Sequence, residues 1–346
     1  MLADLPQSRW DAGTGRQVIL KGDFASIEAA ILQSFGILAP PTLAWVDNTA
    51  VKIPATADSP APILLNGFPN ILHPGMWVNG GLTDGRYREN IADATLDFDV
   101  AAALWGTEKT FQWYVNYALA GNLDTEFTLK AMPYMRVKSQ ASQVISLGTL
   151  YNPGTGIGYG FTTDELAGGL IYVLTGASRG LMREITANNS DNATGGTITY
   201  GGAALTLAQN DWFVVLPPGT NFRWVGDIFN NGSGHLKAFV KQGHRVVYIG
   251  TAINLVPSPG GWAVVEDLQI GSPLAVQATV SAGVTAGNVA YISHPSSPQG
   301  YNTWGVAGLS AGGFVTLEPA IQFCQYLTQS GGLVAVAYAY PPGCGY

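Results

Sequence analysis

The stretch Asn210-Asp211-Trp212-Phe213-Val214-Val215-Leu216-Pro217-Pro218-Gly219-Thr220-Asn221-Phe222-Arg223-Trp224-Val225 holds two short runs of aromatic and β-branched residues around a Pro-Pro-Gly turn. Such side chains fit pleated surfaces, while Pro and Gly supply the reversal between them. Both runs, 212–216 and 221–225, are therefore predicted strands. Outward from this unit the pattern recurs, with strands predicted at 170–175, 197–200, 236–240 and 245–249. Between them lie turn-forming segments at 188–192, Gly201-Gly202 and Asn230-Asn231-Gly232. A strand roughly every 8–12 residues argues for antiparallel sandwiches or barrels rather than βαβ units.

The flanking regions read the same way. Prolines 40, 41, 54, 60, 62 and 69 cut residues 37–80 into short extended pieces, and Asn79-Gly80-Gly81 and Asp84-Gly85 are turn signals. The aromatic run 111–117 is strand-like, and in 126–130 Phe127 and Leu129 alternate with Thr128 and Lys130, the mark of a half-buried antiparallel strand. A strand pair is predicted over 137–147, and more strands at 263–265, 275–280, 289–293, 314–317, 321–327 and 333–340. The Gly-rich run 151–160 marks a boundary or a long hairpin tip. Residues 1–36 stand apart. Asp23 is placed to cap a helix with Phe24, Ile27, Ile31 and Phe35 on one face and Gly36 past its end. About three turns long, it is too short to persist unsupported, so its apolar stripe is expected to dock. The expected architecture is all-β: two to three antiparallel sandwich- or barrel-like domains with a short N-terminal helix. The divisions are a docking arm 1–36 and β-domains at 37–150, 151–250 and 251–346.

Composition narrows the function. Only 11% of the 346 residues are charged, against roughly a quarter in ordinary domains; Gly (44), Trp (9), Tyr (15) and Phe (13) fill the gap. The 47% apolar content supports a packed core. With a net charge of −7 and 16 scattered Lys and Arg, the chain lacks the dense basic stripe that nucleic acid requires. Met1–Arg9 does not read as a secretory signal, and no apolar run has the length of a membrane helix, so neither export nor membrane insertion is expected. Cys324 and Cys344 are too few for a disulfide framework; one bridge is open, and two free thiols in a reducing compartment is the preferred reading.

Residues able to do chemistry are sparse. Gly176-Ala177-Ser178-Arg179-Gly180 and Gly308-Leu309-Ser310-Ala311-Gly312 match the GxSxG pattern of a nucleophile elbow, but no helix is signalled after the first, and a Gly-rich turn explains both. Glu89, Asp93, Asp97 and Asp99 form the densest carboxylate group. If Asp97-Phe98-Asp99 were extended, both acids would share one face with Phe98 in the core; a solvated strand face is the preferred reading, and a cation site or a glycosidase pair are the alternatives. His73, His235, His244 and His294 have no metal-ligand spacing, and the glycines at 154–160 lack a following GK[ST], so no metal or cofactor is expected. Among the tryptophans, Trp77, Trp262 and Trp304 sit beside turn residues and are the candidates for stacking on a glycan.

The words Leu104-Trp105-Gly106-Thr107-Glu108-Lys109, Gln112-Trp113-Tyr114 and the run from Thr125 to Gln140 resemble tail-fibre and appendage proteins of tailed bacteriophages. So do Gly158-Tyr159-Gly160-Phe161-Thr162-Thr163-Asp164-Glu165 and 197–224, and the likeness spans about 60–250; residues 270–340 are also similar to capsid decoration modules. The resemblance implies a non-enzymatic virion component, commonly a homotrimer, assembled in the host cytoplasm. A tail fibre or baseplate appendage is expected, docking by Phe24, Ile27, Ile31 and Phe35 to other virion proteins and reaching a host-surface glycan. A decoration or neck protein and a tailspike glycosidase are the alternatives.

Overall fold

In a computed structural model, the residues described are 10–11, 16–17, 42–73, 76–78, 86–121, 124–149, 155–190, 195–219, 221–231, 236–242, 245–249, 253–254, 272–282, 290–293, 311–316, 325–328 and 333–340. Among them the architecture is all-β, every strand pairing is antiparallel, and the one helical element is a single 3-10 turn, Ala101–Ala103. The predicted helix with Phe24, Ile27, Ile31 and Phe35 lies outside the described residues.

The chain opens with the pair β1 (Trp10–Asp11) and β2 (Arg16–Gln17). A first group of short strands follows: β3 (Ala44–Trp45), β4 (Ala50–Ile53), β5 (Ala61–Leu65), β6 (Phe68–Pro69), β7 (Trp77–Val78), β8 (Arg86–Asn90) and β9 (Ala94–Asp97). They form a three-stranded sheet, β3-β4-β9, and the pairs β5-β8 and β6-β7. β5 buries Ala61, Ile63 and Leu65 and leaves Pro62 and Leu64 half-buried, the period-2 burial of a strand with one face on a core.

The centre of the molecule is the sheet of β10 (Gln112–Ala120) with its neighbour β11 (Thr128–Pro133). All nine residues of β10 are buried, so it is covered on both faces. The alternation predicted for 126–130 is present: Phe127 and Leu129 are buried, Thr128 is exposed and Lys130 half-buried.

From β11 the chain enters a barrel built from β12 (Met135–Ala141), β13 (Val144–Gly148), β14 (Leu170–Val173), β15 (Met182–Asn188), β16 (Thr197–Tyr200) and β17 (Trp212–Leu216). Its order is β12-β13-β16-β15-β14-β17, closed where Met135 and Arg136 pair with Phe213 and Trp212. Closure removes the free edges that a sheet would otherwise expose. β16 alternates, with Ile198 and Tyr200 inside and Thr197 and Thr199 half-exposed, so this side of the wall faces solvent. β17 is buried at every position, because the wall there also packs on the central sheet, where Tyr117 donates its hydroxyl to the Val215 carbonyl (3.0 Å).

β18 (Asn221–Asn230) leaves the barrel and returns to β10, giving the sheet order β11-β10-β18. The barrel is thus an excursion between the two neighbours of β10. Register shifts between Asn116 and Tyr117, which face Gly226 and Trp224 and leave Val225 as the extra residue of a bulge. An aromatic cluster then ties the layers. Phe68 stands 5.9 Å from Tyr172 edge-on, 6.2 Å from Trp224 and 6.4 Å from Tyr117, and Tyr117 meets Phe222 (5.5 Å) and Trp105 (6.2 Å) edge-on.

The last sheet contains β19 (Phe239–Gln242), β20 (Arg245–Tyr248), β21 (Ile253–Asn254), β22 (Gln277–Ala282), β24 (Ala311–Thr316) and β26 (Leu333–Ala339), while β23 (Ala290–Ser293) pairs with β25 (Gln325–Thr328). Strand pairing crosses the divisions expected at 150 and 250: β13 before the first pairs with β16 after it, and β20 before the second pairs with β26.

Candidate functional site

β18 runs five residues past its predicted end, and its extension carries Asp227 into the interior. The bulge at Val225 lets Trp224 and Asp227 meet: the indole Nε1–H donates to Oδ1 over 2.8 Å. The Tyr134 hydroxyl, at the junction of β11 and β12, donates to the same oxygen over 2.8 Å. Oδ2 accepts from the hydroxyl of Ser272 and, over 3.1 Å, from that of Tyr340 just after β26. Ser272 is itself completely buried and Tyr340 nearly so. Burial raises the Asp227 carboxyl to about 6, and the four hydrogen bonds oppose that rise without cancelling it. Four donors fill the lone pairs of the carboxylate. What the arrangement does chemically is hold the central sheet and the C-terminal sheet on one group. Sequence reading passed over this residue because the strand was ended at 225. The available signal was an acid inside the apolar run Val225-Gly226-Asp227-Ile228-Phe229.

The residues that sequence reading did single out are dispersed. Ser178 lies in a turn after β14, 3% exposed, and its Oγ accepts the Thr206 N–H over 2.7 Å. Beside it Asp211 accepts from the Ala208 N–H (2.8 Å) and the Thr175 hydroxyl (3.3 Å). The first GxSxG is thus a fastened turn, with no helix behind the serine. Replacing Ser178 with alanine is expected to lower the unfolding free energy by about 1 kcal/mol, the net worth of one such bond. Urea unfolding checks this, and an unchanged midpoint would remove the serine from the turn's support. Residues 308–310 of the second match lie outside the described residues.

The expected carboxylate face is corrected by the backbone. β9 ends at Asp97, and residues 98–99 form a turn in which Asp97 Oδ1 accepts the Asp99 N–H over 2.9 Å. The side-chain oxygen competes with the strand ladder for that N–H, so the strand stops and the two acids do not stand side by side. Phe98 is buried as expected and lies edge-on to Tyr114 at 5.0 Å. Asp93 pairs with Lys52 (2.6 Å) and accepts the Ala55 N–H (2.9 Å), which lower its carboxyl from the ordinary value. Glu89 accepts from the Tyr87 hydroxyl over 2.5 Å. No group of His, Cys, Asp and Glu among the described residues is arranged to hold a metal ion.

Trp77 is half-buried, and the Arg223 guanidinium lies 4.5 Å from its ring centre. Arg223 also donates to the Leu64 carbonyl (3.0 Å), so one face of this indole is covered by a fixed cation. His73 is exposed in the loop before β7. Trp262, Trp304, Cys324, Cys344, His235, His244 and His294 lie outside the described residues. Comparison with known families, curated proteins and solved structures finds no match to this chain.

Proposed function

We propose that this chain is a non-enzymatic structural protein whose β-domains work in a symmetric assembly. Within that class the reading is a virion component of a tailed bacteriophage, a tail fibre or a tail or baseplate appendage. The observation that carries the proposal is the use made of the chemistry-bearing side chains. Ser178, Asp93, Asp97 and Asp211 each fasten nearby backbone N–H groups. Apolar side chains, by contrast, stand in water: Leu72 is 48% exposed, Met76 58%, Leu181 44% and Met182 36%. Leu72 and Met76 precede β7, Leu181 and Met182 stand just before and at the start of β15, and Leu72 lies against Gly180. Apolar surface of this kind is suited to burial between subunits. The sequence likeness to tail appendages supplies the particular. In this reading the arm with Phe24, Ile27, Ile31 and Phe35 docks on neighbouring virion proteins, three copies associate, and the β-domains make weak host-surface contacts multiplied by copy number.

Antibodies to the chain are expected to label phage particles at the tail in electron micrographs. Labelling of the head would instead favour a decoration protein, and unlabelled particles would overturn the virion assignment. Light scattering of the purified chain is expected to give three times the chain mass. A stable monomer at micromolar concentration would remove the assembly argument.

A further inference from the structure

Two surfaces of the chain carry opposite charges that nothing in the described fold matches. The first joins the turn between β14 and β15 to the loop before β7, at the contact of Gly180 with Leu72. Its exposed apolar side chains, Leu72, Met76, Leu181 and Met182, accompany one half-buried cation, Arg179. Backbone bonds fix the turn, with the Gly180 N–H on the Val173 carbonyl (2.8 Å) and the Leu181 N–H on that of Ser178 (3.0 Å). The loop is fastened too: the Ile71 N–H donates to the Tyr172 hydroxyl (3.1 Å), and Asn70 Oδ1 accepts the N–H groups of Leu72 and His73. Arg179 Nε is buried without a hydrogen-bond partner, and among the described residues no carboxylate forms an ion pair with the guanidinium. Asp211, the acid of this turn, is spent on the Ala208 N–H and the Thr175 hydroxyl. The second surface is one end of the sheet β3-β4-β9, where residues 46–49 meet 97–100 through the Phe98 N–H and the Thr49 carbonyl (2.8 Å). Asp47, Asp97 and Asp99 gather there, with Val46 41% and Val100 50% exposed. The cation of β4, Lys52, is taken by Asp93, so none of the three acids has an ion pair among the described residues.

We propose that these surfaces are the two halves of one head-to-tail contact between copies of this chain, Arg179 of one copy meeting Asp99 of the next. The inference rests on the symmetric assembly proposed above and names its interface. Charge complementarity selects the pairing. Asp97 and Asp47 each spend Oδ1 on backbone N–H groups, whereas Asp99 is exposed and its carboxylate fastens no backbone. A guanidinium is weakly hydrated, and its planar fork matches both oxygens of a carboxylate, so it loses little on leaving water for such a partner. The apolar side chains on both surfaces would exclude water around the pair and strengthen it. A two-fold contact of the first surface with itself would bring two unmatched guanidinium groups into one interface. A contact of unlike faces avoids that repulsion, and it closes into a ring when the rotation between copies permits.

Charge reversal in the full-length chain tests this, with sedimentation equilibrium as the readout. Arg179→Glu and Asp99→Arg are each expected to raise the dissociation constant of the oligomer about a hundredfold, because each sets like charges face to face. The double variant restores opposite charges with their places exchanged and is expected to recover most of the wild-type association. That recovery also answers misfolding, since two disrupted surfaces would not repair each other. A wild-type chain that stays monomeric at micromolar concentration would overturn the assembly reading and this contact together. A wild-type oligomer that both single reversals leave intact would overturn this contact alone, and would leave the Arg179 surface to a different protein. Weakening by the single reversals without recovery in the double variant would overturn the pairing of Arg179 with Asp99.

Discussion

Replacing Trp224 with alanine is expected to destabilise the fold by about 3–5 kcal/mol, the range for emptying a large aromatic site in a core. The ring is 2% exposed and packs against Phe68 at 6.2 Å and Tyr340 at 5.1 Å, so neighbours on different sheets would face the void. Interiors at this packing density relax only partly around such a hole. Its indole also supplies one of the two hydrogen bonds to Asp227 Oδ1, which the variant would lose. Trp224→Phe separates these effects, because it keeps most of the ring and removes the donor. Its cost is expected near 1–3 kcal/mol, that of a buried acceptor left short of a partner. Urea unfolding at pH 7 gives both numbers if the slope m is unchanged. A loss below 1 kcal/mol for the alanine variant would show that this cluster does not hold the sheets together.

The second large effect is expected at Gly106. Its φ is +76°, and a Cβ there would lie 2.4 Å from the Tyr159 carbonyl oxygen. That carbonyl also accepts the Thr107 N–H at 2.7 Å, so it is pinned by the contact that an added carbon would break. Gly106→Ala is expected to cost about 3–4 kcal/mol, combining left-handed backbone strain with displacement of a fixed carbonyl. Gly219 provides the control: φ is +62° and a Cβ would meet nothing within 4 Å. Gly219→Ala should therefore show the backbone strain alone, about 1–2 kcal/mol. Equal losses at the two sites would mean that the approach of 106–107 to the barrel loop does not constrain the fold.

Individual elements show how far local pattern reached. The strands predicted at 197–200 and 212–216 coincide with β16 and β17, because turn residues bracket each run and leave little freedom in its ends. The strand predicted at 221–225 was half the length of β18, which continues through Gly226 and Asp227, residue types depleted in strands. In the fold Gly226 sits at the bulge and Asp227 is received by four donors from separate parts of the chain, so the strand runs on through residues that local preference disfavours. At 97–99 the error ran the other way: alternation suggested a strand, and a local side-chain hydrogen bond turned the backbone instead. The GxSxG at 176–180 was legible as a turn, because glycine spacing without a following helix lacks the elbow's support.

By itself the sequence determined the all-β class, the places of many strands and turns, and the scarcity of groups able to react. Each of these follows from the preferences of neighbouring residues along the chain. Only the tertiary structure decided that β12 and β13 close a barrel with β14 to β17 across the Gly-rich run, that β10 lies between β11 and β18, and that Asp227 gathers Tyr134, Trp224, Ser272 and Tyr340. The physical reason is that a strand's pattern specifies which face it buries, while its partner is chosen by the packing of side chains distant in sequence.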